Sequence, residues 1–508
     1  MYRYACWDGK KRCIKLFTWD ENGQRIIRDI PFKPYLYIED PRGKYKSIFG
    51  TPLIKREFNT PFDRTKFIED SRLTRIFENI KPAQQFLIEN YEGLQDTPEF
   101  TKYPLKIYMY DIETKPLPFN EFPKPEEAKA EISLITIHNS LTDEYTTFGT
   151  KVFHAKIPED LKVKYVYCRT EADLLEGFLQ YLEKDHPDIL SGWNSDMFDM
   201  PYIVNRITKV LGEENLTRLS PIGKFRTEPG KTKDNPPREY TKYITEGMLN
   251  VDYMNVYKKF KVKLQENYKL DYIGEIEVGQ KKLEYEGNIG EFQTRDWDTF
   301  VLYNIRDVEL LVNIDKKTNY FASFRGLGIM GLTNFEDSLG VVAYSIGALC
   351  IRAHTKGQIM YTPVRKVETG KNEGGYVSCN PGLTRDLFTL DFSSLYPNVI
   401  ITANISPETM IGRFEEYEDE IVVTRTNGKQ YRLTKNKFNE FVKKNNLIKS
   451  KANVLFRQDI KGIVPEHMTD YFARRKQVRK NLFEKEKILG NVLKRIKELE
   501  DEVNLSKH

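Results

Sequence analysis

The stretch YMYDIETK, Tyr108 to Lys115, ends an apolar run on two carboxylates set two residues apart. In a strand, residues i and i+2 point to one face. Asp111 and Glu113 therefore project together from a strand end, where oxygen ligands suit a divalent cation. Two further segments have the same character. In ILSGWNSDMFDMPYI (residues 189–203) an apolar strand gives way to a Gly-Trp-Asn turn, and Phe198-Asp199 opens a helix. In TFVLYNIRDVELL (residues 299–311), Tyr303 and Asp307 stand at i and i+4, one turn apart on one helix face. Carboxylates distributed in this way are what two-metal phosphodiester hydrolysis requires. One ion generates hydroxide from bound water and the other, about 4 Å away, stabilises the leaving 3′-oxygen. The Tyr303 hydroxyl is placed to orient the attacking water.

Composition sets the frame for these segments. A chain of 508 residues is too long for one ordinary core, so about three to five domains are expected. A net charge of +5 is compatible with a nucleic-acid partner without requiring one. The cysteines Cys6, Cys13, Cys168, Cys350 and Cys379 are dispersed and contain no CxxC pair, which argues for a reducing compartment and against a disulfide framework or a zinc ribbon. The first residues, MYRYACWDGKKRC, lack the apolar core of a signal peptide, and no run of about 18 apolar residues occurs. A soluble intracellular protein with no membrane partner is expected.

Patterning along the chain divides it further. Up to about residue 100, RYACW, KRCIKLFTW and QRIIRDIPFKPYLYIE alternate in period two, and ENGQ carries the Asn-Gly hairpin signal. From 103 to about 330, apolar strands interleave with helical stretches, the mark of an α/β domain. Within it, EPGKTKDNPPREY (residues 228–240) predicts an exposed loop or hairpin. Residues 331–372 are helical around SLGVVAYSIGALCIRA and then loop-like, and a further strand-containing unit follows to about 455. From Pro465 to Val503 one long helical pattern is interrupted only by Gly490. No internal repeat or low-complexity tract is present.

A second acidic motif lies in FTLDFSSLYPNVI (residues 388–400), where a strand-like run ends on Asp391 and breaks into small residues, a tyrosine and a proline. Together with the three exonuclease-like segments and NISPETMIGRF (residues 404–414), it resembles family B DNA polymerases, those of T-even-type phages above all. The resemblance implies a multidomain α/β and α+β protein. Its parts are a β-rich N-terminal domain (1–102), a ribonuclease-H-like 3′-5′ proofreading exonuclease (103–330), a return to the N-terminal domain (331–372), a partial palm (373–455) and the first half of the fingers (456–508). NYKLDYIGEIEVG (residues 267–279) resembles the segment between the second and third exonuclease motifs. On this resemblance Asp391, at the end of a palm strand, ligates catalytic Mg2+ together with the Phe392 carbonyl. Ser393, Ser394 and Leu395 present backbone to the triphosphate, and Tyr396 stacks beneath the incoming sugar. In NEGGYVSCNPGL (residues 372–383), Gly374, Gly375 and Tyr376 contact template, the glycines allowing close backbone approach. In GIVPEHMTDYFARRKQVRK (residues 462–480), Arg475 and Arg479 share a helix face and meet the triphosphate. Phe198 packs against a base of the frayed 3′ end.

The chain then departs from the family pattern. It has no Lys-x3-Asn-Ser-x-Tyr-Gly run and no Asp-Thr-Asp turn, and its Asp296-Trp297-Asp298 precedes the third exonuclease motif. One palm carboxylate cannot hold two metal ions. Leu482, Leu489, Val492, Ile496, Leu499 and Val503 follow three-four spacing, an apolar helical seam that needs a partner. The expectation is the amino-terminal subunit of a split phage replicative polymerase acting in the cytoplasm of an infected bacterium. Its exonuclease is complete, with two Mg2+ ions per site or Mn2+ in their place. Its polymerase site needs a second polypeptide, through which a sliding clamp is engaged, and its substrates are primer-template DNA, a single-stranded 3′ end and dNTP. Two alternatives stand beside it: a self-sufficient exonuclease with a vestigial palm, and a non-enzymatic RNA-binding or scaffold protein.

Overall fold

The computed structural model describes residues 1–505 apart from 72, 74, 232–237, 364–377, 379–380, 384 and 393, and describes only the backbone of 120 and 500–505. Two units form. One comprises Met1–Tyr35, Glu57–Lys66 and Ile80–Ala348; the other comprises Leu36–Arg56, Phe67–Asn79 and Leu349–His508.

In the first unit the alternating N-terminal runs become an antiparallel sheet of Tyr4–Asp8, Cys13–Trp19 and Arg25–Pro31. The Asn22-Gly23 turn joins the last two, with Gly23 at φ +80° and the Asp20 carboxylate accepting from the Asn22 and Gln24 amides. The larger sheet has six strands in the order Lys162–Tyr167, Glu144–Gly149, Ile132–Asn139, Ile107–Thr114, Ile189–Ser191 and Leu249–Asn250. Ile107–Thr114 is central, antiparallel to Ile132–Asn139 and parallel to Ile189–Ser191. Its side chains sort by period two. Tyr108, Tyr110 and Ile112 enter a core with Leu175, Phe178 and Ile203, while Asp111 and Glu113 point away from it. The helix Trp297–Thr318 packs against this strand and Ile132–Asn139, burying Phe300, Asn304, Asp307, Val308 and Leu311 along one stripe. Asp296 caps its first turn by accepting from the Thr299 amide at 3.0 Å. Strands Phe225–Lys231 and Glu239–Thr245 pair as a hairpin around the turn-rich segment.

The second unit contains two five-stranded sheets. One brings Tyr361–Thr362 beside Ile76–Phe77, in a sheet otherwise drawn from residues 35–57. The other is a small lobe of strands Met410–Glu416, Glu420–Arg425, Gln430–Thr434, Leu447–Lys449 and Val454–Arg457 with helix Lys435–Lys444. Its core is Phe414, Ile421, Val423, Phe438 and Leu455. The NISPET segment has a clear local task. The Asn404 amide donates to the Arg457 and Ile460 carbonyls, and its side-chain oxygen accepts from the Gly462 amide at 2.9 Å. Glu408 and Ser406 then accept from the amides of Ile463 and Val464, which open the long helix Ile463–Leu505. Gly490 does not interrupt that helix.

The strand expected to end on Asp391 is not formed. Residues 385–392 have no helix or strand, and Phe388 and Leu390 are 94% and 93% exposed. A strand needs a neighbour for its backbone donors and acceptors, and no described strand pairs with this segment. The described cysteines, Cys6, Cys13, Cys168 and Cys350, are buried, and Cys379 lies outside the described residues. Among the described residues no helix is long and apolar enough to cross a membrane.

Candidate active site

Asp111, Glu113 and Asp307 converge although some two hundred residues separate the first two from the third. One ligand oxygen from each lies within 4.8 Å of the others. The strand supplies the first two from one face, and the helix Trp297–Thr318 lays Asp307 over them. Asn304, one turn before Asp307, donates through Nδ2 to Asp111 Oδ2 at 2.7 Å and fixes that carboxylate. Asp199 enters from the turn after Ile189–Ser191. That turn is tight: a Cβ on Gly192 would stand 2.9 Å from the Tyr110 carbonyl oxygen, and Asn194 adopts φ +63°. The Asn194 amide donates to Asp252 Oδ1 at 2.9 Å, anchoring the loop from which Asp199 begins its helix. Asp199 is not one of the three carboxylates within mutual reach, but its charge acts on Asp111.

The site's electrostatics follow from crowding like charges in a cleft. Burial first, and then the charges of Asp199, Asp307 and Glu113, push the Asp111 carboxyl far above its usual range. Glu113 is pushed up to about 8 by burial and then by Asp307, and Asp199 to about 7 chiefly by burial. Asp307, 2% exposed, is raised by burial against the pull of Lys282. Lys282 is the cation of the cleft. Its Nζ lies 2.5 Å from Asp307 Oδ2 and donates to the Tyr303 hydroxyl at 3.2 Å. Burial disfavours its charge, yet Asp307, Tyr303 and Asp111 together raise its pKa. The Tyr303 ring is wedged against Tyr285, and its phenol is raised by burial and then by Asp307.

This donor set fits a divalent cation. Three acidic oxygens share one locus, their protonation is favoured where no countercharge meets them, and buried Asp307 Oδ1 has no hydrogen-bond partner. Sequence reasoning missed Lys282 and Asn304. Asn304 carried a usable signal, since it stands one turn from Asp307 on the same buried stripe. Phe198 packs with Tyr202 and with the exposed ring of Phe122, at centroid distances of 5.5 and 5.6 Å.

The residues of the second motif are not gathered in this way. Asp391, Phe392 and Tyr396 are exposed, and Ser394 (φ +57°) precedes the helix Leu395–Thr402. Arg475 and Arg479 lie exposed, one turn apart on the long helix. Ser393, Gly374, Gly375 and Tyr376 lie outside the described residues. Among the described residues Asp391 joins no group of metal-capable side chains.

A mixed α/β unit whose central strand, neighbouring loop and covering helix assemble a carboxylate cluster with the donors a cation needs defines a class of proteins with acidic clefts. Two models of one family match the chain: the DNA polymerase family B exonuclease domain over residues 76–273, and DNA polymerase family B over residues 346–496. The chain belongs to DNA polymerase family B. It is 27% identical to the DNA-directed DNA polymerase of Escherichia phage RB69, over 90% of this chain and 51% of that protein. It is 26% identical to that of Enterobacteria phage T4, over 92% of this chain and 52% of that protein. A match to DNA polymerase 2 of Aeropyrum pernix is 29% identical over 50% of this chain and 31% of that protein. The chain thus spans about half the length of its phage relatives.

Proposed function

We propose that this chain is a 3′-5′ DNA exonuclease that serves as the proofreading half of a phage replicative DNA polymerase, with a second polypeptide completing the polymerase site. The convergence of Asp111, Glu113 and Asp307 around Lys282 carries the nuclease reading. Asp111, Glu113, Asp199 and Asp307 would hold two Mg2+ ions, or Mn2+, which when bound supply hydroxide and stabilise the leaving 3′-oxygen. Lys282 draws Asp307 toward its ionised form against the effect of burial and fixes the Tyr303 phenol, which orients water toward the scissile phosphodiester. Asn304 holds Asp111 in register. Phe198 and Phe122 form an aromatic ledge on which the frayed terminal base stacks.

For the polymerase half, Asp391 and the Phe392 carbonyl are metal ligands, Ser393, Ser394, Leu395 and Tyr396 receive dNTP, and Arg475 and Arg479 meet its triphosphate. Gly374, Gly375 and Tyr376 contact the template. The partition proposed is 1–102, 103–330, 331–372, 373–455 and 456–508. Two observations favour a second polypeptide. Apolar residues 387–399 are bare, and Leu482, Leu489, Val492, Ile496 and Leu499 leave an apolar seam exposed along the long helix. The partner also brings the sliding clamp, and the pair works in the cytoplasm of the infected host. With Mg2+ the purified chain should shorten 5′-labelled single-stranded DNA from its 3′ end and should not extend a primed template. Extension by the chain alone would refute the need for a partner, and intact DNA would refute the nuclease.

A further inference from the structure

Between Arg425 and Lys451 the sequence carries nine lysines and arginines against one acidic residue, Glu440, in a chain whose charges otherwise nearly balance. All nine side chains are exposed. The fold of the lobe segregates this charge. Strands Met410–Glu416 and Glu420–Arg425 are joined at an acidic turn containing Glu418 and Asp419, and the strand register places Arg425 at the opposite end, beside Gly412. Helix Lys435–Lys444 starts near the acidic end, where Thr434 pairs with Glu420, and delivers Lys443 and Lys444 in its last turn. Arg432 is neutralised by Glu420 at 2.7 Å and Arg457 by Asp459 at 2.6 Å. Among the described residues, Arg425, Lys429, Lys443 and Lys444 have no carboxylate in ion-pair reach.

A cavity of about 300 Å³ opens beside Arg425, its charged lining completed by the Arg457–Asp459 ion pair. Its apolar wall includes Ile411, Phe441 and Leu447, and its rim Arg425, Asn427 and Asn445. Beside it the Arg425 guanidinium lies 5.4 Å from the ring centroid of exposed Tyr431. An unpaired Arg425 on the edge of an apolar, amide-edged hollow, with Lys443 and Lys444 in the helix turn that leads to its lining residue Asn445, suits a polyanion that can insert a flat, hydrogen-bonding group. A single-stranded nucleic acid offers both, because its phosphates meet the cations and its bases are free to leave the stack, whereas a duplex keeps its bases inside.

We infer that the lobe Met410–Arg457 is a binding surface for single-stranded nucleic acid, with Arg425, Lys443 and Lys444 on phosphates and one unstacked base in the cavity. This surface is independent of the carboxylate site, so its test needs no catalysis. The full-length chain is titrated with labelled oligothymidylate in EDTA, which prevents cleavage, over a series of salt concentrations. The variant Arg425→Gln/Lys443→Gln/Lys444→Gln should bind at least about tenfold more weakly at low salt. The slope of log affinity against log salt should fall by about 2, roughly 0.7 for each phosphate that is no longer neutralised. Photo-crosslinking of the unaltered chain to 4-thiothymidine oligonucleotide should mark peptides within 425–447. Unchanged affinity and slope in the triple variant, crosslinks confined to other segments, or equal competition by duplex DNA would each overturn the assignment.

Discussion

Asp111 and Asp391 each end a short apolar run, yet they live in opposite surroundings. Around Asp111 every supporting element is in place: a central strand with paired neighbours, a helix laid across it, Asn304 holding one oxygen and Lys282 supplying the countercharge. Around Asp391 no strand pairing forms among the described residues, and Phe388, Leu390 and Phe392 face solvent. A carboxylate becomes a site only when a scaffold holds it against other groups of complementary chemistry. The first aspartate has that scaffold within its own unit, and the second has none among the described residues.

The sharpest way to break this contrast is to remove each aspartate in turn. Asp111→Ala should lower Mg2+-dependent degradation of single-stranded DNA on the order of 10³-fold, while Asp391→Ala should leave the rate as it was. Equal losses from the two, measured by release of mononucleotide, would make the contrast meaningless. Lys282→Gln tests the countercharge and should cost about 10- to 100-fold. Lys282 draws down the pKa of Asp111, Glu113, Asp199 and Asp307 alike. Without it, activity should therefore require a higher pH. A uniform drop with no displacement of the acid limb would mean that Lys282 serves the fold alone.

Crowding of carboxylates also predicts a metal-free weakness confined to the first region. Glu113 rises from an ordinary 4.5 to about 8 on folding, so between those values the folded chain holds a proton that the unfolded chain has released. Stability in EDTA must then fall as pH rises through that window. The unfolding temperature of the exonuclease unit should drop by about 3 °C or more between pH 5.5 and 8.5. Mg2+ or Asp111→Asn should flatten the dependence. A stability that rises across this window would contradict the buried cluster.

How much of this was legible in advance follows from where each residue sits. Asp111 with Glu113, and Tyr303 with Asp307, obey the strand and helix periods, so their faces could be read before any fold was known. The Asn-Gly hairpin was equally local. Lys282 comes from a loop with neither period, and only tertiary packing carries it to Asp307. The run before Asp391 has strand-like composition, but strand formation depends on neighbours that this segment does not have among the described residues. In the basic lobe the lysines are plain in the sequence, whereas their separation from Glu418 and Asp419 depends on strand register.

The smallest effect is the most diagnostic for the bare region. Gly490 lies within the helix Ile463–Leu505 with nothing within 4 Å of where a Cβ would stand, and its neighbours Leu489 and Val492 are exposed. Local backbone hydrogen bonds and intrinsic propensity therefore hold this stretch, and no packing term masks them. Gly490→Ala should gain about 1 kcal/mol of helix propensity. Amide exchange in residues 485–495 should slow about fivefold, with no change at the Asp111 strand. If the seam is covered by a partner in solution, those amides are already protected and the substitution changes little. Exchange in the chain by itself, compared between Gly490 and Gly490→Ala, thus tells whether the long helix is free, as its exposed leucines imply, or already sheathed.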